Sequence, residues 1–517
     1  MGITPKKEVN TTLMNTITVT FPKVKVNLNI DELNFNTLEN MIFDISQTTG
    51  RKAAEKALSD IDDKLRESRP KGTLENTGKK PKYFLTRLGG IRYKRTRYID
   101  KATDEPRYLL EEKLGLKKNQ RISLLRAKID TLIATLSPYR DTKKNAELLT
   151  GSTRSHEAIR QSVIKEAERI IKYQNHSIEK TKRLDDNDED SKPLNDIAYV
   201  ETDSTFIRLQ RRRKRKRKPY ILRTNCRRKR RRKSIEVKLG IGYTDKVKRY
   251  NTGLGKGLKL KDKFTYASIG SGKTFMERLS LIAEKRLSLS KAKAIIFGGD
   301  GGSYITKGIQ DYFTGAIYIL CKFHLKQNIK RALPGKGKTQ LAVNNLLKRD
   351  KIDKALSLLS RLIKRTKNRK KKESVEELHT YISQNRHGIN SIKRIKDKAL
   401  RNEVKGAGAM EPNVDKFLAH RFKKRGMSWS KKGALSLLKI KETIANNEWD
   451  DWWSNKRDER IEINTEPLKQ LTAKNFWKKH RNITPLIEAT IPALRGPDQN
   501  EPWAKVIREL QSIDYYK

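Results

Sequence analysis

The stretch AIIFGGDGGSYI, Ala294 to Ile305, carries an apolar run into one aspartate, Asp300, set between two pairs of glycines. A short apolar run that stops at glycines reads as a buried strand, and in open α/β sheets ligand chemistry gathers beyond the carboxyl ends of strands. Glycines at 298, 299, 301 and 302 take side chains away from the carboxylate, which would open it to a phosphate backbone or a hydrated metal ion. A turn aspartate among glycines is the plainer alternative, and Asp300 alone does not separate the two. The decision rests on what the rest of the chain brings to this strand end.

Charge narrows the partner. Lys and Arg number 117 against 60 Asp and Glu, a formal net charge of +57 over 517 residues. Such a self-repelling chain is expected to work beside a polyanion, and nucleic acid fits best because each neutralised phosphate releases a counterion. A membrane surface is the weaker option. The chain contains no run of eighteen apolar residues and no signal-peptide core, so the expected location is cytoplasmic, nucleoid-associated and of prokaryotic type. Cys226 and Cys321 are the only cysteines, too few for a disulfide framework or a four-cysteine zinc site.

The region before the sheet divides by pattern. Residues 1–70 are expected to form an N-terminal helical region, with Leu33, Leu38, Met41, Ile42 and Ile45 at amphipathic spacing. Residues 71–182 are expected to bind DNA. There KYFLTRLGGIRYKRTRYID alternates on both sides of Gly89-Gly90, the pattern of a hairpin whose two-residue turn is glycine. Successive helices follow, broken at Pro138 and at Gly151-Ser152-Thr153, with Ile159, Val163, Ala167 and Ile170 on one face of the last. This is a helix-turn-helix arrangement, and Arg154, Arg160 and Lys165 are the candidate DNA contacts. An ordinary helical hairpin is the alternative. The acidic segment 183–194 reads as a linker.

Residues 195–325 read as the first part of an α/β core. In DIAYVETDSTFIRLQ neither alternating face is fully polar, so the strand is expected to be covered on both sides and Asp203 is not a casual surface charge. The tract RRRKRKRKPYILRTNCRRKRRRK is read as a basic hairpin excursion suited to phosphate, with Arg211, Arg212 and Arg213 as contacts. A nuclear-localisation-like or disordered tract is its alternative. ASIGSGKTF is rejected as a phosphate loop because the first glycine would fall on Ala267, and because the run is read as lying amid strand residues. Cys321 and His324 could be half of a metal site, but no second half is visible; His324 is expected to face the cleft of Asp300. Residues 326–405 are a basic helical insertion, 406–445 the last part of the core, and 446–517 a basic tail. Glu411 sits at a glycine-rich helix entrance with Pro412 at the first position and Val414, Phe417, Leu418 and Phe422 as the buried stripe. Glu442 and Asp415 are nearby acids without the expected position. Trp449, Trp452 and Trp453 suit packing against a helix, with base stacking as the alternative.

Asp203 in YVETDSTFIRLQ, Asp300 in IFGGDGGSYI, CKFH, and Glu411 in GAGAMEPNVDKFLAHRFKKRGMSWSKKGA together resemble the signature blocks of ISLre-type insertion-sequence transposases, a UPF0236-like group related to the Mutator-like DDE transposases. YFLTRLGGIRYKRTRYID and YLLEEKLGL resemble upstream blocks, so the similarity runs from about Gly72 to Lys441. The tract after Asp203 is longer and more basic than the pattern, and the match around Glu411 is loose.

The resemblance implies a multidomain α+β protein: an N-terminal mixed β-hairpin and helical DNA-binding region, then a ribonuclease-H-like α/β catalytic core with a helical insertion. It also implies Asp203, Asp300 and Glu411 as catalytic metal ligands for Mg²⁺ or Mn²⁺. Three such acids suit two-metal phosphoryl chemistry on their own account. The expected function is a DNA transposase that cleaves element ends and joins 3′-hydroxyls to target DNA. Its expected partners are inverted-repeat end DNA and target DNA, with no membrane, and it would act as a homo-oligomer on DNA. His324, Arg421 and Lys432 are further candidate DNA contacts, the role of His324 being borrowed from related families. A nuclease without strand transfer and a non-catalytic DNA-binding protein remain as alternatives.

Overall fold

In the first unit, residues 1–165, a hairpin of β1 (Leu74–Thr86) and β2 (Gly89–Asp100) is extended by the short β3 (Pro106–Arg107). The computed structural model describes residues 34–69, 72–182, 195–210, 233–248, 258–424, 426–454 and Trp477. Helix α1 (Phe35–Glu67) starts at a reciprocal cap between Asn34 and Thr37 and lays its second half on the hairpin. Leu58, Ile61 and Leu65 pack there against Phe84, Ile91, Tyr93 and Leu110, the last from α2 (Leu109–Lys113). Asp62, 2% exposed, accepts from the Thr96 N–H and hydroxyl and so ties helix to strand. Of the apolar residues expected on the inner face, Ile42 is instead 57% exposed, and Leu33 lies outside the described residues.

The hairpin forms, but its turn is not the glycine pair. Thr86 pairs with Gly89 and Leu85 with Gly90, which leaves Arg87-Leu88 as the loop. The Thr86 hydroxyl accepts from the Leu88 N–H and donates to the Gly89 carbonyl, a side-chain brace the alternation of apolar residues does not reveal. At Gly90 the outer end of the exposed Tyr83 side chain occupies the place a side chain would take.

Helices α3 (Leu124–Leu136) and α4 (Tyr139–Thr150) break at Pro138, and α4 stops at Gly151 in the left-handed region. Helix α5 (His156–Thr181) follows, with Ile159, Val163, Ala167 and Ile170 all buried as their spacing predicts. The α4–α5 break is pinned internally. Arg126 and Asp130, both fully buried, pair with each other; Arg126 also reaches Ser152, and Asp130 takes Arg154 at 2.7 Å.

The second unit, residues 166–517, is organised by a mixed five-stranded sheet. Its strands are β4 (Ile197–Arg208), β5 (Ser234–Tyr243), β8 (Phe264–Ser268), β9 (Ala294–Gly299) and β10 (Ile317–Leu320), in the spatial order β10-β9-β4-β5-β8. β4 is central, antiparallel to β5 and parallel to β9; β5 and β8 are antiparallel, and β9 and β10 parallel. A small ribbon, β6 (Asp245–Lys248) with β7 (Leu258–Lys261), leaves between β5 and β8. Helices α6 (Gly272–Leu287) and α7 (Ser303–Tyr312) bury Phe275, Met276, Leu279 and Ile305 with Ala198, Val200, Ile295 and Phe297 of the sheet. The basic tract 211–232 is outside the described residues; on either side of it the Leu209 N–H donates to the Lys233 carbonyl.

Between β10 and the last acid stands a helical layer in which α8 (Lys322–Ala332), α9 (Gly337–Lys348), α10 (Ile352–Arg365) and α11 (Arg369–Gln384) share a core with Leu320 of β10, followed by α12 (Lys398–Glu403). The chain then returns through α13 (Met410–Val414), a π-helical turn (Asp415–Ala419) and α14 (His420–Phe422). It continues into α15 (Lys431–Ala445) and α16 (Trp449–Trp452). Phe417, Leu418 and Phe422 are buried as expected, Val414 only partly, and Pro412 occupies the third helical position rather than the first. No helix among the described residues is long and apolar enough to cross a membrane.

One further expectation changes. The GKT run does stand between a strand and a helix, since Gly272 opens α6 directly after β8; the spacing argument alone rejects a phosphate loop, and Ser271 already occupies the Thr274 N–H as a cap. Trp449, Trp452 and Trp453 are all buried, and Trp452 donates to Glu166 at 2.6 Å, so packing is their role here.

Candidate metal centre

Asp203 points from the middle of β4 to the face opposite α6 and α7. Residues 198 and 200 of that strand join the α6–α7 core, so 199, 201 and 203 must face the other layer, because side chains alternate along a strand. Asp300 follows β9, the parallel neighbour of β4, and its carboxylate accepts from the Gly302 N–H at 3.0 Å. His324 stands in the first turn of α8, directly after β10. Glu411 is the second residue of α13 and is exposed.

The fold gathers these segments. Ligand atoms of Asp203, His324 and Glu411 all lie within 4.8 Å of one another. Asp300 is not in that closest set, yet it is near enough to act on the charges of both Asp203 and His324. Burial pushes the Asp203 carboxyl up to about 6, and Asp300 and Glu411 add to the push, while His324 and the Ser204 N–H oppose it. The Cys321 side chain beside the ring holds His324 up at about 9, with Asp203 and Asp300 pulling the same way against burial. The arrangement is a half-buried imidazole, held towards its cationic form, facing the buried Asp203 with Glu411 and Asp300 close by.

The glycines around Asp300 serve packing as much as access. A side chain at Gly298 would meet Ala407 and Glu201, and one at Gly299 would meet Ile305. Gly301, at φ +88°, needs glycine for its backbone and for Asn385 beside it. The expectation that all four glycines clear space for a ligand is therefore corrected: protein atoms stand within 3.2 Å of that space at each of them, at Gly302 from Asp300 itself and Tyr304.

Sequence reasoning missed Glu201. Two residues before Asp203 on the same face, it is 3% exposed and accepts from three consecutive backbone N–H groups, Gly408, Ala409 and Met410, at 3.0–3.1 Å. Tyr243 also donates to it at 2.6 Å. The available signal was a second acid on a strand expected to be covered on both sides, since such a charge must have partners.

The candidate DNA contacts are placed differently from one another. Arg154 is internal, shared by Asp130 and Ser162. Arg421 is 2% exposed with its guanidinium over Trp429, so both arginines are corrected from surface contacts to packing groups. Arg160 is half-buried and pairs with Glu157 at 2.7 Å; Lys165 is exposed; Lys432 is exposed and pairs with Glu168 at 2.6 Å. Arg211, Arg212 and Arg213 lie outside the described residues.

Residues 28–457 match the model of the Uncharacterised protein family (UPF0236). The chain belongs to this family. A UPF0236 protein of Caldanaerobacter subterraneus subsp. tengcongensis is 21% identical over 416 residues, covering 79% of this chain and 77% of the relative. A UPF0236 protein in the vanSb 3′ region of Streptococcus gallolyticus is 23% identical over 414 residues, covering 78% and 81%. The UPF0236 match spans both units, and so includes the hairpin, the sheet and every residue of the acid cluster.

Proposed function

We propose that this UPF0236 protein is a DNA transposase with a ribonuclease-H-like core, which cleaves the ends of its element and joins the exposed 3′-hydroxyls to target DNA. The observation that carries the reading is the convergence of Asp203, His324 and Glu411 within 4.8 Å from three separate segments, with Asp300 alongside. A central strand bearing the first acid, a parallel neighbour ending at the second, and a helical layer inserted before the third support the same reading. So does the net charge of +57. One Caldanaerobacter relative carries eleven locus names in a single strain, a multiplicity that suits a sequence copied by transposition.

The donor set fits a hard divalent ion: a carboxylate raised chiefly by its burial, two further carboxylates close enough to add to the push, and an imidazole at their edge. Asp203, Asp300 and Glu411 would hold Mg²⁺ or Mn²⁺, which when bound supplies the Lewis acidity that phosphodiester chemistry requires. His324, held up at about 9 and so cationic at neutral pH, would offset the charge of a phosphate brought beside Asp203. The chain needs no nucleophile of its own, because water or a DNA 3′-hydroxyl attacks.

The test is an assay with Mg²⁺, a plasmid target and DNA bearing the sequences that immediately flank the gene on both sides. Cleaved ends joined to the plasmid are expected. Asp203→Asn, Asp300→Asn and Glu411→Gln should each abolish both steps while DNA binding persists. Cleavage without joining would make the protein a nuclease, and binding without either step a DNA-binding protein.

A further inference from the structure

We propose that Glu201 is a positioning residue: its buried carboxylate mounts the helix that carries Glu411, and so sets the separation of Glu411 from Asp203. The inference rests on the reading of Glu411 as a metal ligand.

The start of a helix leaves backbone N–H groups without intrahelical partners. α13 has no side-chain cap of its own, and the Gly408, Ala409 and Met410 amides at its entrance all donate to Glu201 instead. A carboxylate suits that place because the N-terminal end of a helix carries partial positive charge. The approach depends on glycine twice. Gly408 sits at φ +139°, where other residues are strained, and Gly298 is bare where Glu201 and Ala407 meet. Two stacked tyrosines complete the mount. Tyr243 donates to Glu201, and the Tyr199 hydroxyl accepts from the Lys405 N–H at 2.8 Å, the rings being 5.0 Å apart.

The consequence concerns precision. Glu411 reaches the centre only after the long helical layer, and its loop contains Gly406 and Gly408, so chain connectivity does not fix its place. Glu201 and Asp203 stand on one face of the central strand, about 7 Å apart along it at a rise of about 3.3 Å per residue. The strand that bears the first ligand therefore also bears the mount of the third, and the spacing of the two acids follows from β4.

The test uses the full chain, Mn²⁺ binding by calorimetry, and hydrogen exchange at the 408–410 amides. Glu201→Gln should expose those amides to exchange and weaken Mn²⁺ binding by roughly 10- to 100-fold, the usual effect of losing a group that orients a ligand. Glu411→Gln should weaken it similarly, and the double variant should bind no more weakly than Glu411→Gln alone. Mn²⁺ affinity unchanged in Glu201→Gln, or equal additive losses in the double variant, overturns the mount even if melting temperature falls. Should Glu201→Gln not fold, Tyr243→Phe is read in its place: faster exchange at 408–410 with weaker Mn²⁺ binding supports the proposal, and neither change overturns it. If Glu411→Gln leaves Mn²⁺ affinity intact while Glu201→Gln still frees the amides, the ligand reading of Glu411 has failed rather than the contact.

Discussion

Nε2 of His324 lies 4.0 Å from Oδ2 of Asp203, joining the first turn of α8 to the centre of β4. With His324 held up at about 9 and Asp203 pushed up to about 6, the pair is ionised between those values. In that range Asp203 has already lost its proton, and the imidazolium 4.0 Å away opposes a divalent ion until it loses its own. Mn²⁺ affinity is therefore expected to rise with pH from about 6 to about 9, and His324→Asn should flatten that rise. Titration of Mn²⁺ binding across this range checks it; an unchanged slope in His324→Asn would detach the histidine from the ion.

Asp203 also makes a prediction about stability. Its folded-state value, about 6, exceeds the model-peptide value of 3.8, so the unfolded chain loses the proton first. The stabilisation of the protonated form is complete below 3.8 and is lost as pH climbs through about 6. At pH 7 without divalent ions, Asp203→Asn should be more stable than wild type by an amount on the order of 3 kcal/mol at most. The advantage should vanish near pH 4. Thermal melts of both proteins at the two pH values measure it.

Glu442 and Asp415 should separate. Asp415 is exposed beside Lys424, and Asp415→Asn is expected to change stability by less than about 1 kcal/mol. Glu442 is 2% exposed and accepts from the Ala267 N–H, Gln174 and Lys439. Glu442→Gln should cost on the order of 3 kcal/mol, since it leaves Lys439 buried without its charge partner. Denaturant unfolding of the two variants is the measurement, and equal stabilities would refute the assignment.

Binding to non-cognate duplex should weaken log-linearly and steeply with salt, because Lys and Arg on phosphate supply it. A chain cut before Glu166 should lose its preference for element ends and keep this salt-dependent binding. The cut belongs there and not at 180, since Ile178 of α5 is buried in the core beneath α6. Filter binding over a salt series reads both.

Trp452→Ala should destabilise by about 3–5 kcal/mol and leave the DNA affinity of the folded fraction unchanged. Its ring is 3% exposed, with Tyr173 beside it and Glu166 on its nitrogen. A stable variant with weakened single-strand binding would restore base stacking.

Local pattern was informative wherever one stretch of chain decides its own structure. The apolar spacing of Ile159, Val163, Ala167 and Ile170 placed a buried face, and the two-faced alternation around Asp203 placed a covered strand. Pattern was less reliable at turns. The glycine pair 89–90 outranked Arg87-Leu88 on propensity, but the Thr86 hydroxyl braces the latter.

What the sequence by itself determined is the charge, the apolar strand ending at Asp300, the covered strand bearing Asp203, and the helices with their breaks. Tertiary structure decided which charges are spent inside the protein. Arg154 and Arg421 were as basic in sequence as Lys165, yet only the fold sets them against Asp130 and Trp429. It also decided that His324 stands 4.0 Å from Asp203 and that Glu201 holds the amides before Glu411. Periodicity reports which way a side chain faces, because that depends on neighbours in the chain. The partner it meets there depends on strand order and on segments some two hundred residues away, and no local pattern carries that information.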